Sequence, residues 1–149
     1  MNTLIAQGNH LLTKPFIVSG GVYNKATFAA GIIQGADGVA IGTALSVTPE
    51  SGLTDEQRQT ILNSNEYDSV FTSFWTGITG RCISNMGAQE LRKLRGKALK
   101  FPEQMFFTHA ASLAEQEEMP TEYIPLWASV NAPFCKEKPI KEFLQSLIR

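Results

Sequence analysis

Two glycine turns are the residues of this sequence whose types and spacing could do chemistry. Gly20-Gly21 follows the apolar run at 16–18, and Gly42-Thr43 follows a second apolar run at 39–41. Glycines at a strand end leave backbone N–H groups uncovered by side chains, and such groups bind phosphate. Thr43 adds a hydroxyl donor. Because each charge-assisted hydrogen bond contributes roughly 1.5 to 3 kcal/mol, several of them would anchor the phosphate of a cofactor.

The two turns belong to a predicted strand, helix, strand unit. Both apolar runs are continuous, as in strands that are buried on both faces. Between them, Asn24 fits a helix N-cap and Gly35 fits a left-handed stop. The apolar face of this helix is expected at Phe28, Ile32 and Ile33.

A right-handed crossover would make the two strands parallel, so both turns would emerge from the same edge of the sheet. If the strands are neighbours, they lie about 4.8 Å apart, within reach of one phosphate. The alternative is that these glycines only form tight turns. Two glycine turns on one edge, one crossover apart, favour the phosphate site.

The composition points to a small-molecule partner. With 13 Lys+Arg against 14 Asp+Glu and no long basic block, the sequence lacks the charge pattern of proteins that bind nucleic acid or an anionic membrane. The apolar runs are too short to span a bilayer, and residues 1–3 are not the charged opening of a signal peptide, so we expect a cytoplasmic protein. Cys82 and Cys135 have no partners at metal-ligand spacing, and neither a metal site nor a disulfide is predicted.

The remaining sequence predicts helices with one further strand. A helix at 3–12 precedes the first strand, as if the chain opened partway through a repeating pattern, and Thr54 with Gln57 forms a capping box for another helix. The aromatic stretch at 70–75 predicts a third strand, followed by a loop at 76–85 in which Arg81 has a structural role. Helices are then expected within 86–99 and 101–118 and at the C-terminus, where the apolar positions are Ile140, Phe143, Leu144 and Leu147.

The sequence resembles the nitronate monooxygenase family. Residues 16–43 are similar to the last two strands of the FMN-dependent (β/α)8 barrel of that family. The stretches at 48–51, 76–85 and 123–128 are similar, in the same order, to its C-terminal extension. The glycine turns alone are shared by many FMN barrels, so the ordered later stretches make the resemblance more specific.

This resemblance implies an α/β fold: the C-terminal portion of a (β/α)8 TIM barrel with a mostly helical C-terminal extension. Residues 1–68 would form the last barrel strands and helices, and residues 69–149 the C-terminal strand, loop and extension. The FMN phosphate contacts of the family carry over to six residues: Gly20, Gly21, Ala40, Ile41, Gly42 and Thr43. In such barrels the phosphate lies at the loops after the last two strands, in agreement with the geometry expected above.

The implied function is an FMN-dependent oxidation of alkyl nitronates with dioxygen. No catalytic residue is assigned, because neither His10 nor His109 stands in the Gly-Gly-His stretch that the family uses. The expected partners are a small-molecule substrate, FMN, and either further copies of the chain or a missing N-terminal half. Two alternatives stay open: an FMN-dependent enoyl-acyl-carrier-protein reductase, and a non-catalytic remnant.

Overall fold

The computed structural model describes residues 2–94, 96–114 and 119–149. Contacts divide the chain into two compact units, Met1–Asn63 with Asn131–Arg149, and Ser64–Val130. The division expected from the sequence, 1–68 and 69–149, concerns the architecture of the resembled family and stays a prediction. Within the described ranges, none of the helices combines the length and apolar character needed to cross a membrane.

Helices and strands largely alternate in the first half of the chain, and most elements of the second half are helices. In chain order they are α1 (Asn2–Leu11), β1 (Ile17–Ser19), α2 (Lys25–Ile33), β2 (Gly38–Ala40), α3 (Thr43–Ser46), α4 (Asp55–Leu62), β3 (Ser69–Thr72), β4 (Gly80–Ile83), α5 (Met86–Arg92), α6 (Glu103–Ala114) and α7 (Ile140–Ile148). Two short 3-10 helices lie at Thr121–Tyr123 and Ala132–Phe134.

The first unit contains the predicted strand, helix, strand motif. β1 and β2 form a parallel two-stranded sheet in which Val18 pairs with Val39 and Ser19 with Ala40. Ahead of the sheet, the backbone N–H of Phe16 donates to the Asp37 carboxylate at 2.9 Å. The parallel pairing expected from the glycine-ended apolar runs is therefore confirmed, with each strand displaced by one residue from its predicted bounds.

The caps predicted for α2 are confirmed. The Asn24 side chain accepts a hydrogen bond from the backbone N–H of Thr27 at 2.9 Å, and the Thr27 hydroxyl accepts from the backbone N–H of Asn24 at 3.1 Å. Past the other end, Gly35 has a φ of 103°. These two caps fix the length of the crossover and hence where β2 begins.

The apolar face predicted for α2 was wrong at Ile32 and Ile33, which are 39% and 82% exposed, whereas Phe28 is half-buried. The buried residue of the helix is Gly31. A Cβ atom at Gly31 would lie 3.1 Å from a methyl carbon of Val39 and 3.3 Å from one of Val18. The helix therefore approaches both strands at Gly31, which has no side chain. A pattern of large apolar residues does not predict this contact.

The expectation that β1 is buried on both faces was also wrong. Ile17 is 70% exposed and Ser19 is exposed, whereas Val18, which faces α2, is half-buried. A strand is buried on both faces only when a layer of structure covers each face. Among the described residues of the first unit, α2 covers the face of Val18, and the face of Ile17 is left uncovered.

Arg58 organises the other side of the first unit. The capping box of Thr54 and Gln57 starts α4 as predicted, and Arg58, one residue later, is only 7% exposed. Its guanidinium donates to the Leu53 carbonyl at 2.6 Å and to Glu137 at 3.1 Å, and it also pairs with Asp55. These bonds tie α4 to the segment that leads into α7.

The second unit departs from the sequence prediction at its loop. Residues 80–83 form β4, which pairs antiparallel with β3, whereas we expected a loop over 76–85. Arg81 has the structural role expected of it. Its guanidinium donates to the Ser69 hydroxyl at 2.9 Å and lies 3.9 Å from the ring centroid of Phe71.

In the second unit, α5 is shorter than the helix expected within 86–99. α5 ends at Arg92, and the described part of the following helix, α6, ends at Ala114; residues 115–118 of the predicted helix lie outside the described residues. Phe106 and Phe107 of α6 are each 63% exposed. In the first unit, the amphipathic prediction for α7 is confirmed at Phe143 and Leu147, which are buried, and is wrong at Leu144, which is 46% exposed.

Candidate phosphate-binding site

The parallel sheet of the first unit brings the two glycine turns to one edge. Ser19 pairs with Ala40 as the last residue pair of the register, so Gly20 and Ile41 are the first residues beyond it. Parallel neighbours lie about 4.8 Å apart. Of the six residues expected to contact a phosphate, Ala40 ends β2 and the other five lie just beyond the sheet at its C-terminal edge, where ligands of α/β proteins bind.

Open space lies beside one glycine of each turn. An added Cβ would meet no heavy atom within 4 Å at Gly20 or at Gly42, and both residues are exposed. Gly20 has a φ of 102°, which side-chain-bearing residues rarely adopt, whereas Gly42 has a φ of −106°, which any residue adopts. Backbone groups at both turns can therefore be approached closely by a ligand.

The first turn is held by a side chain from the far end of the unit. The Asn131 amide nitrogen donates to the Gly21 carbonyl at 3.1 Å. A Cβ at Gly21 would lie 2.9 Å from that same nitrogen, and Gly21 has a φ of 74°. Only glycine satisfies both the backbone conformation and the close approach of Asn131 at this position.

Asn131 is in turn fixed by the 3-10 helix that follows it. Its carbonyl accepts from the backbone N–H of Phe134 at 3.0 Å and from the Cys135 thiol at 3.5 Å. The ring of Phe134 packs on Tyr23, two residues after Gly21, with ring centroids 5.7 Å apart. Asn131 therefore holds the turn at Gly21, and Phe134 packs against the chain just after it, at Tyr23.

The second turn leads directly into a helix. Gly42 is the N-cap residue of α3, and its carbonyl accepts from the backbone N–H groups of Leu45 and Ser46 at 2.8 and 3.0 Å. The helix is anchored by Ala44 and Val47, both buried. The first turn of a helix contributes backbone N–H groups without acceptors inside the helix, so its start adds donors beside Gly42 and Thr43.

No candidate for acid–base catalysis stands at this edge among the residues singled out in the sequence. His10 is exposed on α1, and His109 lies in the other unit. Near the site, burial raises the pKa of the Cys135 thiol to about 11, so this residue stays protonated and does not act as a nucleophile. The arrangement can hold an anion; its described residues do not supply a proton-transfer group.

Sequence reasoning found the two glycine turns and missed Asn131. The turns have local signals, which are apolar runs that end in glycine. Asn131 is separated from Gly21 by 110 positions, and nothing in its own neighbourhood marks it as a partner of the turn.

Comparisons with known proteins identify the relatives of this chain. Its residues 1–149 match the family model described as nitronate monooxygenase. It is 27% identical over 146 residues to a probable nitronate monooxygenase of Staphylococcus aureus strain Newman, and 25% identical to one of Staphylococcus haemolyticus; each match covers 98% of this chain and 41% of the relative. The chain therefore spans about two fifths of the length of these relatives.

Solved structures show that the fold is shared with two enzymes. A nitroalkane oxidase of Streptomyces ansochromogenes superposes with a TM-score of 0.82 at 23% identity, over 98% of this chain and 42% of that one. FabK of Thermotoga maritima superposes with a TM-score of 0.79 at 21% identity, over 99% of this chain and 47% of that one. At these identities the likeness establishes the α/β fold, and the family follows from the sequence match: this chain belongs to the nitronate monooxygenase family.

Proposed function

We propose that this chain supplies the phosphate-binding part of the flavin site of an FMN-dependent oxidoreductase that oxidises alkyl nitronates with dioxygen. The observation that carries the proposal is the pairing of Ser19 with Ala40, because it brings two open glycine turns to one edge of a parallel sheet. Family membership supplies the reaction class.

The residues at this edge fit a phosphate group. An anion needs room at the backbone and donors that face it, and the vacant Cβ positions of Gly20 and Gly42 provide that room. We assign the phosphate to Gly20, Gly21, Ala40, Ile41, Gly42 and Thr43. Asn131 is a positioning residue, because it holds the carbonyl of Gly21 and acts on the site only through that turn.

Bound flavin would supply the electron transfer from nitronate to dioxygen. The chain's own contribution is to bind and orient the phosphate end of the cofactor. Such binding raises the affinity for the cofactor without contacting the reacting atoms. Groups that touch the substrate are therefore expected in the part of the enzyme that this chain does not include.

We further propose that β1 and β2 are the last two strands of a (β/α)8 barrel. The uncovered face of Ile17 supports this arrangement, since inward side chains of such a barrel pack in layers formed by all of its strands. The match to only 41% of each staphylococcal relative leaves room for the other strands. The macromolecular partner that we propose is a missing N-terminal half or further copies of the chain.

Two other functions stay as alternatives. An FMN-dependent enoyl-acyl-carrier-protein reductase would use the same phosphate site with a different substrate. A non-catalytic remnant would keep the packing of the first unit without chemistry. The family match and the staphylococcal relatives favour the nitronate monooxygenase over both.

The test of the proposal is reconstitution. The chain is co-expressed with the N-terminal half of a family member, and flavin absorbance of the purified complex is recorded together with nitronate-dependent oxygen uptake and enoyl-thioester-dependent NAD(P)H oxidation. We expect bound FMN and oxygen uptake. Enoyl-thioester reduction alone would establish the reductase, and a well-formed complex without flavin would contradict the proposed function.

A further inference from the structure

The second unit contains a cavity of about 470 Å³, a size within the range of small-molecule sites. Its walls come from α5, α6, the segment after β3, and the stretch around residues 119–127. Aromatic and aliphatic side chains dominate the lining, among them Trp75, Leu91, Met105, Phe107 and Trp127. The cavity lies wholly within residues 64–130 and is therefore separate from the proposed phosphate site.

Hydrogen bonds link the walls of this cavity to one another and fix its shape. The Asn85 amide caps α5 at the backbone N–H of Ala88, 2.9 Å away, and donates to the Ile124 carbonyl at 2.6 Å. The Thr108 hydroxyl on α6 donates to the Trp75 carbonyl at 2.7 Å. The bonds to Ile124 and Trp75 each join two different walls, so the cavity is a preformed feature of the fold.

Glycines let two walls approach closely. A Cβ at Gly80 would lie 2.6 Å from the indole ring of Trp127, and one at Gly87 would lie 2.9 Å from the backbone of Tyr123. Trp127 also forms an isolated antiparallel bridge with Cys82 of β4. Tyr123 and Trp127 thus each pack against a glycine, and both also line the cavity.

The polar groups of the lining restrict what can bind. Glu90 is the described carboxylate among the lining residues, and Lys93 donates to it at 2.7 Å. The indole nitrogen of Trp75 is buried and has no hydrogen-bond partner among the described residues. The Glu90 charge is paired with Lys93, and the rest of the described lining is mainly apolar, so an uncharged ligand is favoured over an anionic one.

We propose that this cavity is a binding site for a small, uncharged, predominantly apolar molecule. Neutral alkyl alcohols, ketones and esters belong to this class. Burial of the apolar part against Leu91, Met105 and the aromatic walls provides the affinity.

The two tryptophans of the chain both line the cavity, so fluorescence reports on its occupancy directly. We would titrate the full chain with bromooctanol, whose bromine quenches tryptophan at contact, and compete with octanol. Saturable quenching that octanol reverses is the expected result. Quenching that rises linearly to the solubility limit, or that octanol does not reverse, would overturn the proposal.

Two neighbouring residues of α6 localise the site. Met105 lines the cavity and is 36% exposed, whereas Phe106 does not line it and is 63% exposed. Because a carboxylate in the apolar wall opposes binding, Met105→Glu should weaken bromooctanol binding about tenfold, and Phe106→Glu should change it by less than about twofold. Equal effects of the two variants would overturn the location.

The charge of the ligand is tested with bromooctanoate, which has the same chain length and an ionised head group. We expect it to bind about tenfold more weakly than bromooctanol at neutral pH, because its carboxylate would lose hydration against a mainly apolar lining. Equal or tighter binding of the anion would overturn the assignment to an uncharged ligand.

Discussion

The amide of Asn131 donates a hydrogen bond to the carbonyl of Gly21 at 3.1 Å, across 110 positions of the sequence. This bond joins the first glycine turn of the proposed phosphate site to the segment that precedes α7. The same amide nitrogen also occupies the space into which a side chain at Gly21 would project. One contact therefore both holds the turn and requires glycine in it.

Removal of the Asn131 side chain should destabilise the first unit. Asn131→Ala loses the bond to Gly21 and leaves a backbone carbonyl without its partner, so we expect the free energy of unfolding to fall by about 1 to 2 kcal/mol. Urea denaturation followed by circular dichroism measures this change. Val130→Ala is the neighbouring control, since Val130 is 42% exposed. A loss no larger than that of the control would contradict the role of Asn131.

Alanine substitutions at the two glycines of the first turn should differ. Both positions have a positive φ, which costs about 1 to 2 kcal/mol for an L-residue. Gly21→Ala adds a contact of 2.9 Å with Asn131, whereas Gly20→Ala meets open space. We expect Gly21→Ala to be the more destabilising in urea denaturation.

A double variant separates strain from crowding at this turn. Asn131→Ala removes the atom that crowds Gly21, so Gly21→Ala should cost less in that background than in the wild-type chain. The cost of Gly20→Ala should not change. If the two single glycine variants lose equal stability, the proposed crowding is absent.

Arg58 is expected to be the costliest charged residue of the first unit to remove. Its side chain is only 9% exposed and pairs with Glu137, which is itself 34% exposed. Arg58→Ala breaks this pair and the bond to the Leu53 carbonyl, and we expect a loss of about 3 kcal/mol in urea denaturation. Lys93→Ala breaks an exposed pair with Glu90 and should cost less than about 1 kcal/mol. Similar losses for both variants would show that the Arg58 network is dispensable.

The cysteines provide a prediction for pH. Cys82 is fully buried and Cys135 is 6% exposed, and burial raises the pKa of both thiols, that of Cys135 from 9.0 to about 11. The folded chain thus keeps protons that the unfolded chain releases. Stability from this source is present below pH 9.0 and is lost as the pH rises toward about 11.

Thiol labelling tests the burial of the two cysteines. At pH 8 both cysteines should react slowly with a disulfide reagent in the folded chain and rapidly in urea, because the reagent requires an exposed thiolate. Free cysteine in the same buffer is the control. Rapid labelling of the folded chain at pH 8 would contradict the burial of these residues.

Local signals in the sequence predict part of this structure well. Asn24 with Thr27, Thr54 with Gln57, and the glycine that follows each apolar run mark where helices and strands begin or end, and these features are confirmed. Such signals act within a few residues of the backbone they cap. The family resemblance is confirmed as well.

Contacts between distant segments could not be predicted from those signals. Gly31 packs against two strands because it lacks a side chain, and Asn131 reaches Gly21 only in the folded unit. Ile17 has the sequence pattern of a strand buried on both faces and is nevertheless exposed. In the (β/α)8 barrel that we propose, neighbouring strands would cover this face.

Comparison of FMN with riboflavin tests the central claim most directly, since the two flavins differ by the phosphate. In the reconstituted complex, Gly42→Asp should weaken FMN binding about a hundredfold, because a carboxylate then occupies the anion site, and should leave riboflavin binding unchanged. Gly52→Asp is the matched control, since Gly52 is also exposed with open space at its Cβ. Fluorescence titration that shows unchanged FMN affinity in Gly42→Asp, or an equal loss for riboflavin, would contradict the phosphate site.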